Sequence, residues 1–249
     1  MAFDSFLNFV FSPLMKLPPL WVIIILSLIL SIVVTYVYKW MTNQILMKSM
    51  KDEMKKHQED MKKEKDNHSK VLEIQKKAMD VNMKYMLHSM KPTLITFIPL
   101  ILIFGWMTNH LAYEPIKPGM EFTTTVVFNE NASGKVTLNV PEQIQLISKD
   151  TQNILNGLAT WSLKGEKGEY LLEYSYQDQK FSKELLITDD YNYKKTFDII
   201  NKDGVKEVRI DNKPLKPLNL FGWQIGWLGT YIIFSLIFSI GLRKLLKIY

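Results

Sequence analysis

The chain reads as an α-helical membrane protein with three transmembrane helices, a cytosolic antiparallel coiled-coil hairpin and an extracytoplasmic all-β, sandwich-like domain. Three observations predict this. Residues 20–38, 93–111 and 218–242 contain no Asp, Glu or Lys, and about 20 such residues in a helix cross the hydrocarbon core of a bilayer. Residues 39–91 contain no Gly and are dominated by Lys, Met, Glu and Gln, all good helix formers. Between residues 113 and 217 the texture changes to short runs rich in β-branched and aromatic residues, separated by turn signals. A mean hydropathy of -0.04 averages over these contrasting blocks.

Taken in order, residues 1–19 form an interfacial segment, with Phe3, Phe6, Leu7, Val10, Phe11 and Leu14 at helical spacing and Pro18-Pro19 as a stop. The first span, 20–38, has Asp4 and Lys16 before it, no basic cluster and no small-x-small cleavage site after it. It is therefore expected to stay in the mature protein rather than act as a signal peptide. In the insert, Met47, Met50, Met54, His57 and Met61 recur by three and four, as do Val71, Ile74, Ala78, Val81, Tyr85 and His88. The polar break Asp66-Asn67-His68-Ser69 lies between them. Because the chain must return to the membrane, two arms of similar length, each about 35 Å long at 1.5 Å per residue, are predicted to fold back on each other.

The second span is 92–112. Strands are predicted over 121–129, 135–140, 143–147, 159–164, 169–176, 181–188, 196–200 and 205–210, the pattern of one sandwich or small barrel. The third span, 218–242, leads to a basic tail, 243–249. Lys and Arg near span ends set orientation. The 39–91 insert holds 13 Lys against eight acids and the tail adds Arg243, Lys244 and Lys247, whereas 113–217 holds 14 Lys and Arg against 16 acids. The insert and C-terminus are thus expected in the cytosol, the N-terminus and β domain outside, in a multi-pass cell-membrane protein. Trp21, Trp106, Trp223 and Trp227 fit an aromatic belt at the outer surface.

Candidate functional residues lie on two hydroxyl stripes. Ser27, Ser31 and Thr35 recur every four residues and end at Lys39, and Tyr231, Ser235 and Ser239 do the same and end at Arg243. Ser89, Thr93 and Thr96, beside Lys91, add a polar patch at the inner end of the second span. Small hydroxyl residues often mark close packing of membrane helices, and span-end cations often only snorkel to the surface. Two stripes in the same half of the membrane, each ending at a cation, suggest instead a wet groove open to the cytosol. Met79, Met83, Met86 and Met90, with Leu72, trace a second line beside the hairpin seam. Their flexible, polarisable side chains suit varied apolar clients. The Lys excess of the hairpin could meet ribosomal RNA or anionic lipid, although interspersed acids are equally the mark of a solvated face.

Other chemistries find little support. With no Cys there are no disulfides, thiolate metal sites or thiol nucleophiles. His57, His68 and His88 lack metal-ligand spacing, His110 sits at the outer end of its span far from the inner-half serines, and Asp189-Asp190 reads as a turn. There is no phosphate-binding Gly loop or His-Glu metalloprotease pair. No enzyme activity, cofactor, metal or specific DNA binding is expected. Asn131-Ala132-Ser133 matches an N-glycosylation acceptor.

Several stretches resemble the archaeal branch of the Oxa/YidC/Alb membrane insertase superfamily, whose eukaryotic relatives include a subunit of the endoplasmic reticulum membrane complex. They are Leu72 to Met79 and Met83 to Met86 in the hairpin, Lys91 to Pro99 leading into Phe104-Gly105-Trp106, and Gly226 to Tyr231 followed by Ser235, Ser239 and Arg243-Lys244. The resemblance covers the membrane core and hairpin but not the β domain. It implies a three-helix core with a groove that passes polar parts of nascent membrane proteins while their apolar helices slide into lipid; the ribosome, a Sec translocon and membrane lipids are further candidate partners. Some relatives carry an Arg inside the groove; here no Arg or Lys lies within the first span, and Lys39 at its end is the candidate. Two rivals remain: a receptor or structural protein whose β domain binds envelope partners, and an ion channel, which the absence of acids from all three spans disfavours.

Overall fold

The structure is a computed structural model that describes the backbone of residues 2–248 and the side chains of residues 7–248. Its helices are α1 (Ala2–Phe11), α2 (Pro19–Met41), α3 (Gln44–Lys63), α4 (His68–Leu111) and α5 (Trp227–Leu245), with a 3-10 turn over Ser12–Lys16. Phe3 and Phe6 of the predicted apolar stripe lie outside the described side chains. The helices α2, α4 and α5 are long and apolar enough to cross a membrane. The chain divides into two compact units: residues 1–22 with 106–227, and residues 23–105 with 228–249.

In the second unit the chain leaves α2 through a two-residue break. Thr42 Oγ1 donates to the Tyr38 carbonyl at 2.6 Å, and the Asn43 side chain accepts from the amides of Ile45 and Leu46, capping α3. A turn over residues 64–67 reverses the chain, and Asn67 Oδ1 caps α4 by accepting from Lys70 N at 3.2 Å. Met47, Met50 and Val81 are buried together with Tyr38, and Met54 and Tyr85 pack against them. Of the two predicted stripes only His88 is exposed, while the intervening residues are overwhelmingly exposed. Helix α4 then continues without interruption through Pro92 and Pro99. Proline in a helix interior removes a backbone bond. Around Pro92 the hydroxyls of Ser89, Thr93 and Thr96 donate to backbone carbonyls at 2.9, 2.8 and 3.0 Å, supplying local polar partners.

The first unit is built on two antiparallel sheets. Strands β1 (Glu121–Phe128), β3 (Ile144–Leu146), β5 (Leu158–Gly165), β8 (Phe197–Lys202) and β9 (Val205–Ile210) form one, in the order β3-β5-β1-β9-β8. Strands β2 (Lys135–Asn139), β4 (Thr151–Asn153), β6 (Gly168–Tyr176) and β7 (Gln179–Ile187) form the other, in the order β4-β2-β6-β7. Alternate residues of both sheets fill one core: Val126, Trp161 and Val208 from the first, Leu138, Tyr174 and Leu185 from the second. Tyr193, after β7, fastens this domain to the end of α4: its hydroxyl donates to the Thr108 carbonyl and accepts from Ala112 N, both at 3.0 Å.

Two expectations need correction. The third apolar stretch does not begin as a helix at Leu218. Residues Leu218–Leu220 and Trp223–Ile225 pair as a two-stranded hairpin, β10 and β11, and helix starts only at Trp227. Phe221 and Gly222 between them both have positive φ, 52° and 91°, which a helix excludes and a type I′ turn requires. Trp106 is not a belt residue either, being only 1 % exposed. It packs against Phe11 with ring centroids 5.0 Å apart, stacks on His110 and donates to Asn8 Oδ1 at 2.7 Å. Helix α1 covers it.

Candidate functional site

The predicted groove residues of the second unit fall on three helices, and the first stripe faces inward. Ser27, Ser31 and Thr35 of α2 are buried, whereas Leu28, Ile29, Ile32, Val33 and Tyr36 on the other faces are exposed. Their hydroxyls are treated differently. Ser27 Oγ donates to the carbonyl of Ile23 in its own helix at 2.7 Å and is thereby satisfied. Ser31 Oγ reaches across to the Ser235 carbonyl of α5 at 3.4 Å. Thr35 is 2 % exposed and its Oγ1 has no hydrogen-bond partner among the described residues. Leaving a buried hydroxyl unmatched costs about 1–3 kcal/mol, so Thr35 Oγ1 is a buried group with hydrogen-bonding capacity to spare in the helix interface.

The stripe on α5 is more open. Tyr231 is buried, its ring edge-on to Phe104 of α4 at 4.7 Å. Ser235 and Ser239 are half-buried, and Ser235 Oγ donates to the Ile232 carbonyl at 3.0 Å. On α4, Thr96 is buried and Thr93 exposed.

Below Thr35 the three helices converge on Tyr38, a residue outside the four-residue spacing of the stripe. Its hydroxyl lies 3.4 Å from Ser89 Oγ of α4, and the Arg243 guanidinium of α5 sits 5.0 Å from its ring centroid, within cation–π range. Arg243, Lys39 and Lys91 are all exposed, but Arg243 lies against the end of the polar seam through its contact with the Tyr38 ring. The structure therefore brings Ser31 to Ser235 and joins Ser89 with Arg243 through Tyr38. It leaves Lys39, Lys91 and Thr93 on the surface. A three-residue step from Thr35 to Tyr38 stays on the same helix face, and that step was the available sequence signal.

The methionines divide into two sets. Met47 and Met50 are buried and Met54 half-buried in the α3–α4 seam. Met79, Met83, Met86 and Met90 lie on α4 and are between 46 % and 62 % exposed, in company with Leu72, Leu87 and Leu94. No cluster of three or more His, Asp or Glu able to hold a metal ion occurs among the described residues. A concavity of about 450 Å³ in the first unit, lined in part by Lys16, Trp106, His110 and Asp190, includes none of the predicted groove residues.

Residues 5–151 match the family model described as integral membrane protein EMC3/TMCO1-like. The chain belongs to that family. The EMC3/TMCO1-like proteins are part of the Oxa1/YidC/Alb3 insertase superfamily and are linked to membrane protein insertion at the family level. The match takes in α2, α3, α4 and the first strands of the β domain, and stops before most of that domain and α5. No individually curated protein and no solved structure matches the chain.

Proposed function

We propose that this member of the EMC3/TMCO1-like family is a membrane-protein insertase that lowers the barrier to moving a hydrophilic loop across the inner half of the bilayer. The observation that carries the proposal is the inward-facing hydroxyl line ending in the unpartnered Thr35 Oγ1, next to the Tyr38, Ser89 and Arg243 group. A polar backbone group in hydrocarbon loses several kcal/mol when its hydrogen bonds to water go unreplaced. A hydroxyl-lined groove replaces some of them, and Arg243 at its mouth attracts the acidic or carbonyl groups of the passing segment. The client's own apolar helix supplies the driving force by entering lipid, so the protein works without a catalytic residue, cofactor or nucleotide.

In this reading α3 and the first part of α4 form a cytosolic coiled-coil hairpin. Their surplus methionine face, Met79 to Met90, captures apolar segments, and their Lys-rich surface docks the ribosome. A Sec translocon can share the same clients. The N-terminus and the β domain lie outside, in keeping with the charge asymmetry between residues 39–91 and 113–217. The similarity of the quoted hairpin and third-span motifs to the archaeal branch supports placing the chain there.

Site-specific photocrosslinking from Ser31, Ser235 and Met83 to a ribosome-bound nascent membrane protein tests this, with the lipid-exposed Ile29 as reference. Crosslinks from the three positions that exceed those from Ile29 are expected. Crosslinks confined to helices of the protein itself would reduce the stripes to packing seams and overturn the insertase reading in favour of a receptor.

A further inference from the structure

We infer that the β10–β11 hairpin is a membrane-inserting wedge that pins the β domain to the bilayer at the start of α5. The hairpin, Leu218 to Ile225, contains no charged residue, and no acid occurs anywhere after Asp211. Its tip is Phe221, fully exposed, and Trp223 beside it is 74 % exposed. A soluble turn rarely offers two large aromatics to water with nothing packed over them, whereas aromatic side chains are favoured at the membrane–water interface.

The turn chemistry strengthens the point. A type I′ turn wants Asn, Asp or Gly at its first central position, yet that position is Phe221 at φ 52°. A bulky residue in the left-handed region is an outlier, and such strain persists where the surrounding structure enforces it and often where function uses it. Here the remaining turn residues favour the same conformation: Gly222 takes φ 91° and its amide donates to Asn219 Oδ1 at 2.9 Å. The strained backbone places a fully exposed aromatic side chain at the apex of the hairpin.

Continuity with the membrane identifies the occupant. Gly226 alone separates β11 from α5, and one residue spans at most about 3.6 Å, so the base of the hairpin lies at the level where the apolar span begins. Lys213 and Lys216 precede the hairpin and can meet lipid phosphates. The face fits a lipid surface rather than a protein client of the opposite membrane half.

The cysteine-free chain allows a direct test. The full chain carrying Phe221→Cys or Trp223→Cys is labelled with an environment-sensitive fluorophore and reconstituted in phosphatidylcholine vesicles, with Ser133→Cys on the exposed β2 approach as reference. At positions 221 and 223 we expect blue-shifted emission, loss of emission to a lipid-borne nitroxide and protection from iodide, with the opposite pattern at 133. The two labelling sites guard against misfolding of either variant. Emission at both sites quenched by iodide as fully as at 133 would overturn the wedge, and so would shielding from both quenchers, which would mean that protein covers the tip. Neither result bears on the groove, which lies on other elements.

Discussion

The two units of this protein solve opposite burial problems. In the β domain the interior is mainly aromatic and aliphatic, with Trp161, Leu163 and Tyr174 completely enclosed between two sheets, and Lys183 is its one buried charged side chain. In the helical unit the buried face of α2 mixes Ser27, Ser31 and Thr35 with Ile23, Leu26 and Leu30, while Leu28, Ile29, Ile32 and Val33 face outward. Hydrocarbon gives no reason to hide a leucine, so membrane helices place small polar groups where they touch and apolar ones toward lipid. The same residue types therefore mean different things in the two halves. An exposed Ile199 on the sheet surface is incidental, and an exposed Ile29 is a contact with the solvent of that unit.

The sharpest way to break this contrast is to truncate one side chain in each unit. Trp161→Ala should destabilise the β domain by about 3–5 kcal/mol, because it empties a core position and removes the indole donor to the Asp150 carbonyl at 2.8 Å. Ile29→Ala should leave unfolding in detergent almost unchanged, since the side chain leaves a partly exposed surface. Chemical denaturation of the two variants, followed by near-ultraviolet circular dichroism, checks the pair; equal losses would show that α2 is packed like the sandwich.

A smaller effect is expected at the one charge the β domain buries. Lys183 is 2 % exposed and its Nζ lies 2.7 Å from Asp198 Oδ2, with Lys195 3.3 Å from the other oxygen. Burial alone would raise the Asp198 carboxyl, but the bonds and charges of Lys183 and Lys195 hold it below its ordinary value. A depressed carboxyl contributes stability above its unfolded value near 3.8, and that contribution disappears as pH falls through the folded value. Asp198→Asn should therefore flatten the loss of stability below about pH 4. Its cost at neutral pH should lie at or below the low end of the roughly 3–5 kcal/mol typical of a broken buried pair, because Asp198 is itself 37 % exposed. Acid titration of both proteins by circular dichroism decides it.

Smaller again is the clasp at Tyr193. Burial pushes its hydroxyl up to about 12, partly offset by its bonds to the backbone. A tyrosine raised in the folded state stabilises fully below its unfolded value near 10, and the benefit is lost as pH rises through the folded value. Tyr193→Phe should cost about 1–2 kcal/mol near neutrality for the lost hydrogen bonds and reduce the alkaline destabilisation between pH 10 and 12. Thermal unfolding across that range is the measurement.

How far such a structure can be read in advance also differs between the units. In the β domain, β1, β5, β6, β7 and β9 begin and end within about two residues of their predicted limits, because alternation and Gly-containing turns such as Gly165 to Gly168 carry the signal. Strand β4 leaves no such signal: Thr151, Gln152 and Asn153 have no alternation, and only pairing with β2 makes them a strand. The β10–β11 hairpin has the composition of a membrane helix, since Leu-Asn-Leu-Phe-Gly-Trp-Gln-Ile is apolar on average, and a three-residue strand has too few positions to declare a period. Trp106 is ambiguous in sequence for a related reason. A tryptophan near a span end has the same composition signal whether it faces lipid or is covered by α1. Of the candidate site, the α2 hydroxyl stripe was legible from its regular step, but the partnership of Tyr38 with Ser89 and Arg243 depends on three helices meeting, which no local pattern encodes.

The finest test of the contrast concerns Thr35, where a change of nearly constant shape separates structure from function. In a water-soluble core, Thr→Val at a satisfied hydroxyl removes a useful bond. Here the Oγ1 is buried and unpartnered, so Thr35→Val deletes an unmet polar group and should leave stability unchanged or raise it by up to about 1 kcal/mol. If the hydroxyl is there for the packing of α2, nothing else should change. If it is there for a client, insertion of a membrane protein with a polar translocated loop into proteoliposomes should fall, while a client with a minimal loop should be affected less. Gain of stability combined with loss of loop-dependent insertion is the expected outcome, and it would distinguish a groove residue from a seam residue by a single methyl-for-hydroxyl exchange.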